Sequence, residues 1–157
     1  LTCVKRGVGG HCIAVDPWFI VSQNLKEAKI IRTAREINNY KTQWVIERIN
    51  ARIANFTEAH ERKPKVVCLG LAYKPDIDDL RESPAVKVVD ELVKLGVDVM
   101  VVEPNISNHD DFNLYSFQDA FEADLLVLLV KHKEFLGDVE KDKLLKAKAL
   151  DFCGALV

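Results

Sequence analysis

KVVCLGLAYKPDIDDLRESPAVKVVDELVKLGVDVMVVE, residues 65–103, decides the fold. Lys65-Val-Val-Cys-Leu-Gly is an apolar run of strand length that ends on glycine, and it reads as a buried strand. Ser83 to Leu95 carries apolar residues at helical spacing, with Ser83 as the cap, Pro84 at the first helical position and Gly96 as the terminator. Val97 to Val102 is the next strand. Strand, helix and strand in that order make a βαβ unit, and the pattern continues downstream. Phe117 to Glu122 reads as a helix, Asp124 to Val130 as an almost wholly apolar strand, Lys141 to Lys146 as a helix and Ala149 to Phe152 as a last strand. Such alternation predicts a parallel sheet covered by helices, with ligands at the carboxyl ends of the strands.

Working back from Lys65, the charged stretch Thr57 to Pro64 (TEAHERKP) marks the point where the apolar period changes from helical to strand-like. From Leu25 to Phe56 the residues Ile30, Ala34, Ile37, Val45, Ile49, Ile53 and Phe56 form one helical stripe, with Tyr40 and Trp44 beside it. At 1.5 Å per residue this helix runs about 48 Å. That is more than a small monomer covers, so the stripe is expected at a helix-to-helix interface, within the chain or between subunits. The expected fold class is α/β: a long helix of the dimerisation type followed by a Rossmann-like parallel-sheet domain. The expected division falls into residues 1–58 and 59–157.

Composition narrows the function. The chain has 157 residues, 29% of them charged, and a net charge of −2 with no basic patch, which argues against a nucleic-acid or anionic-membrane surface. The longest apolar run, LLVLLV at 125–130, is too short to span a bilayer. Cys3, Cys12, Cys68 and Cys153 are scattered, and no signal peptide precedes them, so reduced thiols in the cytoplasm are expected. Leu1-Thr-Cys-Val-Lys lacks an initiator methionine and any preceding element, which reads as the continuation of a longer protein.

Gly70 ends the first strand and Glu103 follows the second, where a ribose-binding acid of a dinucleotide fold would sit. After Gly70, however, Leu71-Ala-Tyr-Lys-Pro replaces the glycines that let a pyrophosphate approach, so a complete dinucleotide is not expected in this half. The loop from Tyr73 to Ser83 instead carries Lys74 and Arg81, cations suited to phosphate. The plain alternative is a solvated loop with ion pairs among Asp76, Asp78, Asp79 and Arg81.

Near the amino terminus, GVGGHCIAVDP (7–17) sets Cys12 on a glycine pair beside His11, with Asp16 four residues on. A thiol presented on a flexible glycine loop suits a nucleophile; the plain alternative is an inert buried cysteine. Asp16 has two readings, a catalytic carboxylate or the cap of a short helix starting at Pro17. His11 reads as a shaper of the loop. Cys3, His11 and Cys12 make a poor zinc set, because adjacent side chains diverge and no fourth ligand has suitable spacing, so no metal site is expected. Cys68 and Cys153 look structural.

GVGGHCIAVDPWF at 7–19 followed by GLAYKPDIDDLRESPA at 70–85 resembles the UDP-glucose/GDP-mannose dehydrogenase family. The histidine-cysteine form with DPWF, and LLVLLVKHKEF at 125–135, resemble its branch acting on UDP-N-acetyl-D-mannosamine. The resemblance covers nearly the whole chain. It implies an NAD-binding domain first, then a helical dimerisation region, then a Rossmann-like domain for the nucleotide sugar, of which this chain holds the later part. It further implies an NAD-dependent oxidoreductase working as a homodimer, which makes uronic-acid units for surface polysaccharide by two hydride transfers through a cysteine thioester. Without the NAD domain the chain alone is expected to be inactive. On this resemblance Cys12 is the nucleophile and Asp16 positions water and a lysine partner. Gly7, Tyr73 and Lys74 meet the UDP-sugar, and Arg81 meets NAD.

Three departures stand out. Val15 replaces the lysine of the UDP-glucose branch, Lys5-Arg6 stand where the branch has Gly-Pro, and no arginine follows Asp151. The rival reading is a non-catalytic nucleotide-sugar-binding or subunit-interaction module.

Overall fold

In the computed structural model, which describes residues 6–156, four parallel strands form one sheet. They are β1 (Lys65–Leu69), β2 (Asp98–Val102), β3 (Leu125–Leu128) and β4 (Leu150–Asp151), in the order β2-β1-β3-β4. β1 pairs with β2 from Lys65↔Asp98 to Leu69↔Val102 and with β3 from Val66↔Leu125 to Leu69↔Leu128. Both faces of the sheet are covered, which is why its strands read as unbroken apolar runs.

Helices α1 (His11–Gln23), α2 (Lys29–His60), α3 (Pro84–Lys94) and α4 (Asp138–Lys146) complete the regular elements, with short 3₁₀ turns at Asp119–Glu122 and Lys133–Phe135. On one face Val66 and Cys68 pack with Val45, Ile46 and Ile49 of α2 and with Ala85, Val88, Val89 and Leu92 of α3. On the other, Val67 and Leu69 pack with Met100, Leu126, Phe135 and Leu144. The α3 ends form as expected: Ser83 Oγ accepts from the Ala85 N–H at 3.2 Å, and Gly96 takes φ +73° after the last turn.

Several elements differ from expectation; β3 ends at Leu128 instead of Val130, and α4 begins at Asp138 instead of Lys141. The segment at 117–122 forms only a 3₁₀ turn, because Ser116 and Asp119 bond to each other's backbone at 3.0 and 3.2 Å and Ala123 is already extended. β4 is two residues long. The Asp151 carboxylate takes the N–H groups of Cys153, Gly154, Ala155 and Leu156 at 2.7–2.9 Å and turns the chain out of the sheet. The long helix has the expected length of 32 residues but runs from Lys29 to His60, displaced toward the carboxyl end. The short helix begins at His11 rather than Pro17, so Pro17 lies inside it and removes one backbone bond to the preceding turn.

Only part of the α2 stripe is covered. Val45, Ile46 and Ile49 are buried, with Trp44 edge-on to Phe152 at 6.0 Å, whereas Ile30, Ile37 and Tyr40 stand in solvent. Among the described residues no helix is long and apolar enough to cross a membrane. Expectations for Leu1, Cys3, Lys5 and Val157 lie outside the described residues.

Candidate functional site

From β1 the chain crosses through α3 to build β2 on one side, then builds β3 on the other. The carboxyl ends of β1 and β3 therefore flank the crevice where open α/β sheets hold ligands. Glu103 follows β2 and is buried there. Its Oε2 accepts from the N–H groups of Leu71 at 2.7 Å and Ala72 at 3.0 Å, and its Oε1 from the backbone and side-chain amides of Asn105 at 3.0 and 3.1 Å. His132, beyond β3 and fully buried, places Nε2 3.0 Å from the same carboxylate. Its Nδ1 faces two donors at 2.9 Å, the Asp76 N–H and the Asn105 amide, which assigns the ring proton to Nε2. Burial pushes the Glu103 carboxyl up, but the His132 bond and the Leu71 and Ala72 amides outweigh it and hold it at about 2. At the position where a dinucleotide fold holds ribose, the carboxylate is instead taken up by the amides of Leu71, Ala72 and Asn105 and by His132. At Gly70, φ +90°, a side chain would overlap Val130, so the glycine lets the end of β1 pack directly against the segment after β3.

The loop after β1 is thus held at two points. Asp76, in the left-handed region at φ +60°, adds a third contact by accepting the Lys133 N–H at 2.9 Å. Between these points Tyr73 is half-buried and Lys74 exposed, with Nζ 5.6 Å from the Tyr73 ring centroid. Arg81 is exposed and clasped by Asp79, with Nη2 to Oδ2 at 2.7 Å and Nε to Oδ1 at 3.0 Å. That clasp holds the Asp79 carboxyl at about 2. Of the ion pairs expected in a solvated loop, Asp79 and Arg81 form one, while Asp76 turns to His132 and Lys133. Asp76, His132 and Glu134 bring potential ligand atoms within 4.8 Å, but the His132 Nδ1 is already committed to two donors.

The glycine segment lies against this loop. Asn38 of α2 pairs with both backbone groups of Val8, accepting at 2.7 Å and donating at 3.0 Å, and Thr42 donates to the Arg6 carbonyl at 3.1 Å. Arg6 is buried. Its Nη2 donates to the carbonyls of Ala72 and Tyr73 at 3.0 Å, and its Nη1 to that of Leu129, which straps the segment to the ends of β1 and β3. Gly7 rests on Asn38 and Thr42. A side chain at Gly9 would overlap the Glu82 carbonyl and approach Pro84 Cδ to 2.6 Å, and one at Gly10, at φ +99°, would meet the Tyr73 ring at 3.0 Å. These glycines allow flush contact rather than flexibility.

Cys12 is therefore not on a flexible loop. It is the second residue of α1, exposed, with Sγ 3.8 Å from His11 Nδ1. Asp16 lies one helical turn on, exposed and on the same side, too far into the helix to cap it. The two motifs meet in space through Gly9 against Glu82 and Pro84 and Gly10 against the Tyr73 ring, while Asp79 is the partner of Arg81. Cys68 is buried in β1, its thiol pushed up to about 12 by burial, and Cys153 is buried as well.

Asn38, Asn105 and His132 build the site although the sequence pointed to none of them, while Glu103 enters as a brace in place of a ribose acid and Arg6, a departure from the branch, as a strap. The available signal was a polar side chain directly after an apolar strand, as at Glu103 and His132. A further buried cation, Arg35 on α2, joins Lys87 in holding the Glu82 carboxyl below its usual range, Lys87 having the larger effect.

Residues 67–155 match the model of the UDP-glucose/GDP-mannose dehydrogenase family, UDP binding domain. The chain belongs to this family. It is 50% identical over 146 residues to a UDP-N-acetyl-D-mannosamine dehydrogenase of Campylobacter jejuni, covering 87% of this chain and 34% of the relative. Among solved structures, a UDP-D-ManNAc dehydrogenase of Pyrococcus horikoshii superposes with a TM-score of 0.69 at 33% identity, over 91% of this chain and 33% of that one. The native UDP-N-acetyl-mannosamine dehydrogenase of Staphylococcus aureus gives 0.67 at 36%, over 88% and 31%. The chain spans about a third of the length of the curated relatives it matches. As a family member it carries a dehydrogenase's UDP-binding domain, an α/β unit around a parallel sheet.

Proposed function

We propose that this chain is the carboxyl-terminal, nucleotide-sugar-binding part of an NAD-dependent 6-dehydrogenase that oxidises UDP-N-acetyl-D-mannosamine to its uronic acid in the cytoplasm. Residues 1–58 supply the cysteine segment and the helical part of a dimerisation region, and residues 59–157 the UDP-sugar domain. The observation that carries the reading is the contact of the Cys12 segment with the Tyr73 loop, where Gly10 leaves no room for a side chain against the Tyr73 ring. That contact brings the segment that carries Cys12 against the loop that carries Lys74, at the carboxyl end of β1.

Oxidising a primary alcohol to an acid removes two hydrides and requires water to enter between them. NAD, which would be held mainly by a domain outside this chain with Arg81 as this chain's contribution, would supply the hydride acceptor, one molecule for each of the two removals. After the first removal the Cys12 thiolate adds to the aldehyde carbon, giving a hemithioacetal. Loss of the second hydride leaves a thioester on Cys12. Water, positioned by Asp16, cleaves it, releasing the carboxylate and the thiolate. Gly7, Tyr73 and Lys74 hold the UDP-sugar, Lys74 by charge on the diphosphate. The exposed apolar residues of α1 and the first half of α2 supply the subunit contact of a homodimer.

Calorimetric titration of this chain is expected to show UDP binding and no NAD binding; tight NAD binding overturns the domain assignment. In the full-length protein Cys12→Ser is expected to stop uronate formation while sugar binding survives. Uronate formation at the normal rate by that variant overturns the thioester route.

A further inference from the structure

The short segment that carries Tyr73 and Lys74 is braced at both ends by one buried pair. We propose that Glu103 and His132 are positioning residues for the nucleotide sugar, setting the conformation of residues 71–76 in which Lys74 meets the diphosphate. This rests on the UDP-sugar reading and adds which side chains shape that site.

Both side chains are fully buried, so neither touches a ligand; they act through the loop. Glu103 holds its entry through the Leu71 and Ala72 N–H groups, and His132 holds its exit through the Asp76 N–H. Asp76 sits in the left-handed region, which aspartate tolerates better than most L-residues but which outside contacts must enforce over the commoner conformations. His132 and Lys133 supply that enforcement, and with both ends held Tyr73 and Lys74 have little freedom.

The proton arrangement couples the two braces. His132 accepts from Asp76 at Nδ1 only while its proton is on Nε2, and that proton needs the Glu103 carboxylate as acceptor. Both Glu103 oxygens already take donors. An amide of the same size at this position turns an N–H toward other donors on one side. If the imidazole proton moves to Nδ1 in response, it confronts the Asp76 N–H. An isosteric change at Glu103 thus reaches Lys74 through the loop without altering packing volume.

The test is calorimetric titration of UDP into the 157-residue chain, with amide exchange followed at Leu71, Ala72 and Asp76. Glu103→Gln is expected to raise the dissociation constant about tenfold and to speed exchange at these amides. His132→Gln is expected to act in the same direction, and serves if the first variant does not fold. Leu144→Ala, which leaves a cavity in the cluster of Val67, Leu69 and Phe135, is expected to lower thermal stability and leave the dissociation constant within about twofold. Folded Glu103→Gln and His132→Gln that both bind UDP like the parent overturn the positioning role and leave the UDP-sugar reading standing. Equal weakening by Leu144→Ala reduces the effect to general destabilisation and overturns it too. A parent chain that does not bind UDP overturns the UDP-sugar reading, and this inference with it.

Discussion

The two halves of α2 share one apolar period and meet opposite surroundings. From Trp44 to Phe56 the stripe lies on the sheet, with Val45 and Ile49 at 0% exposure. From Ile30 to Tyr40 it faces outward, with Ile30 85% and Ile37 56% exposed. The first half does other work: Asn38 and Thr42 hold the segment that leads to Cys12. A helical period specifies which side chains share a face, while coverage depends on what folds beside that face. Here the sheet with α3 reaches only the second half.

The sharpest way to break this comparison is Ile49→Ala. Removing a side chain from the covered half leaves a cavity between α2 and the sheet, and unfolding stability is expected to fall by about 2–5 kcal/mol in urea titration. A loss below about 1 kcal/mol would mean that the second half is not a core element.

Acid titration sharpens it next, by separating the sheet from the rim beside Cys12. Glu103 is held at about 2 against an ordinary 4.5. A depressed carboxyl stabilises the fold fully above its unfolded value, and that contribution is lost as pH falls from about 4.5 toward 2. Trp44 fluorescence, recorded in a Trp18→Phe background, is expected to report unfolding in that window, and Glu103→Gln to flatten its pH dependence there. Asp79 is also held at about 2, by Arg81, but that guanidinium stands in solvent, where the pair is screened. Asp79→Asn is therefore expected to leave the acid profile of Trp44 unchanged.

The smallest stability effect belongs to the uncovered half. Ile30→Ser and Ile37→Ser are each expected to shift unfolding stability by less than about 0.5 kcal/mol under monomeric conditions. If that face is the proposed subunit contact, the double variant lowers the mass seen by light scattering at high concentration. Unchanged mass in a parent that does dimerise places the contact elsewhere.

By itself the sequence determined the βαβ order, the α3 ends, the apolar strands and the length of α2. Each is set by local chemistry: an apolar period, a serine cap with proline behind it, a terminal glycine. The two motifs that carry Cys12 and Lys74 were equally legible as residue strings. Tertiary structure alone decided where α1 begins, since Gly9 and Gly10 are flush against Pro84 and Tyr73, residues remote in the chain. It also decided that Glu103 is a brace and not a ribose acid, because its donors come from the loop after β1, from Asn105 and from His132 beyond β3. Which half of α2 is covered was likewise settled only by the extent of the sheet. In each case the deciding partner is distant in sequence, and a hydrogen bond or a packing contact across such a distance leaves no periodic trace in the residues on either side of it.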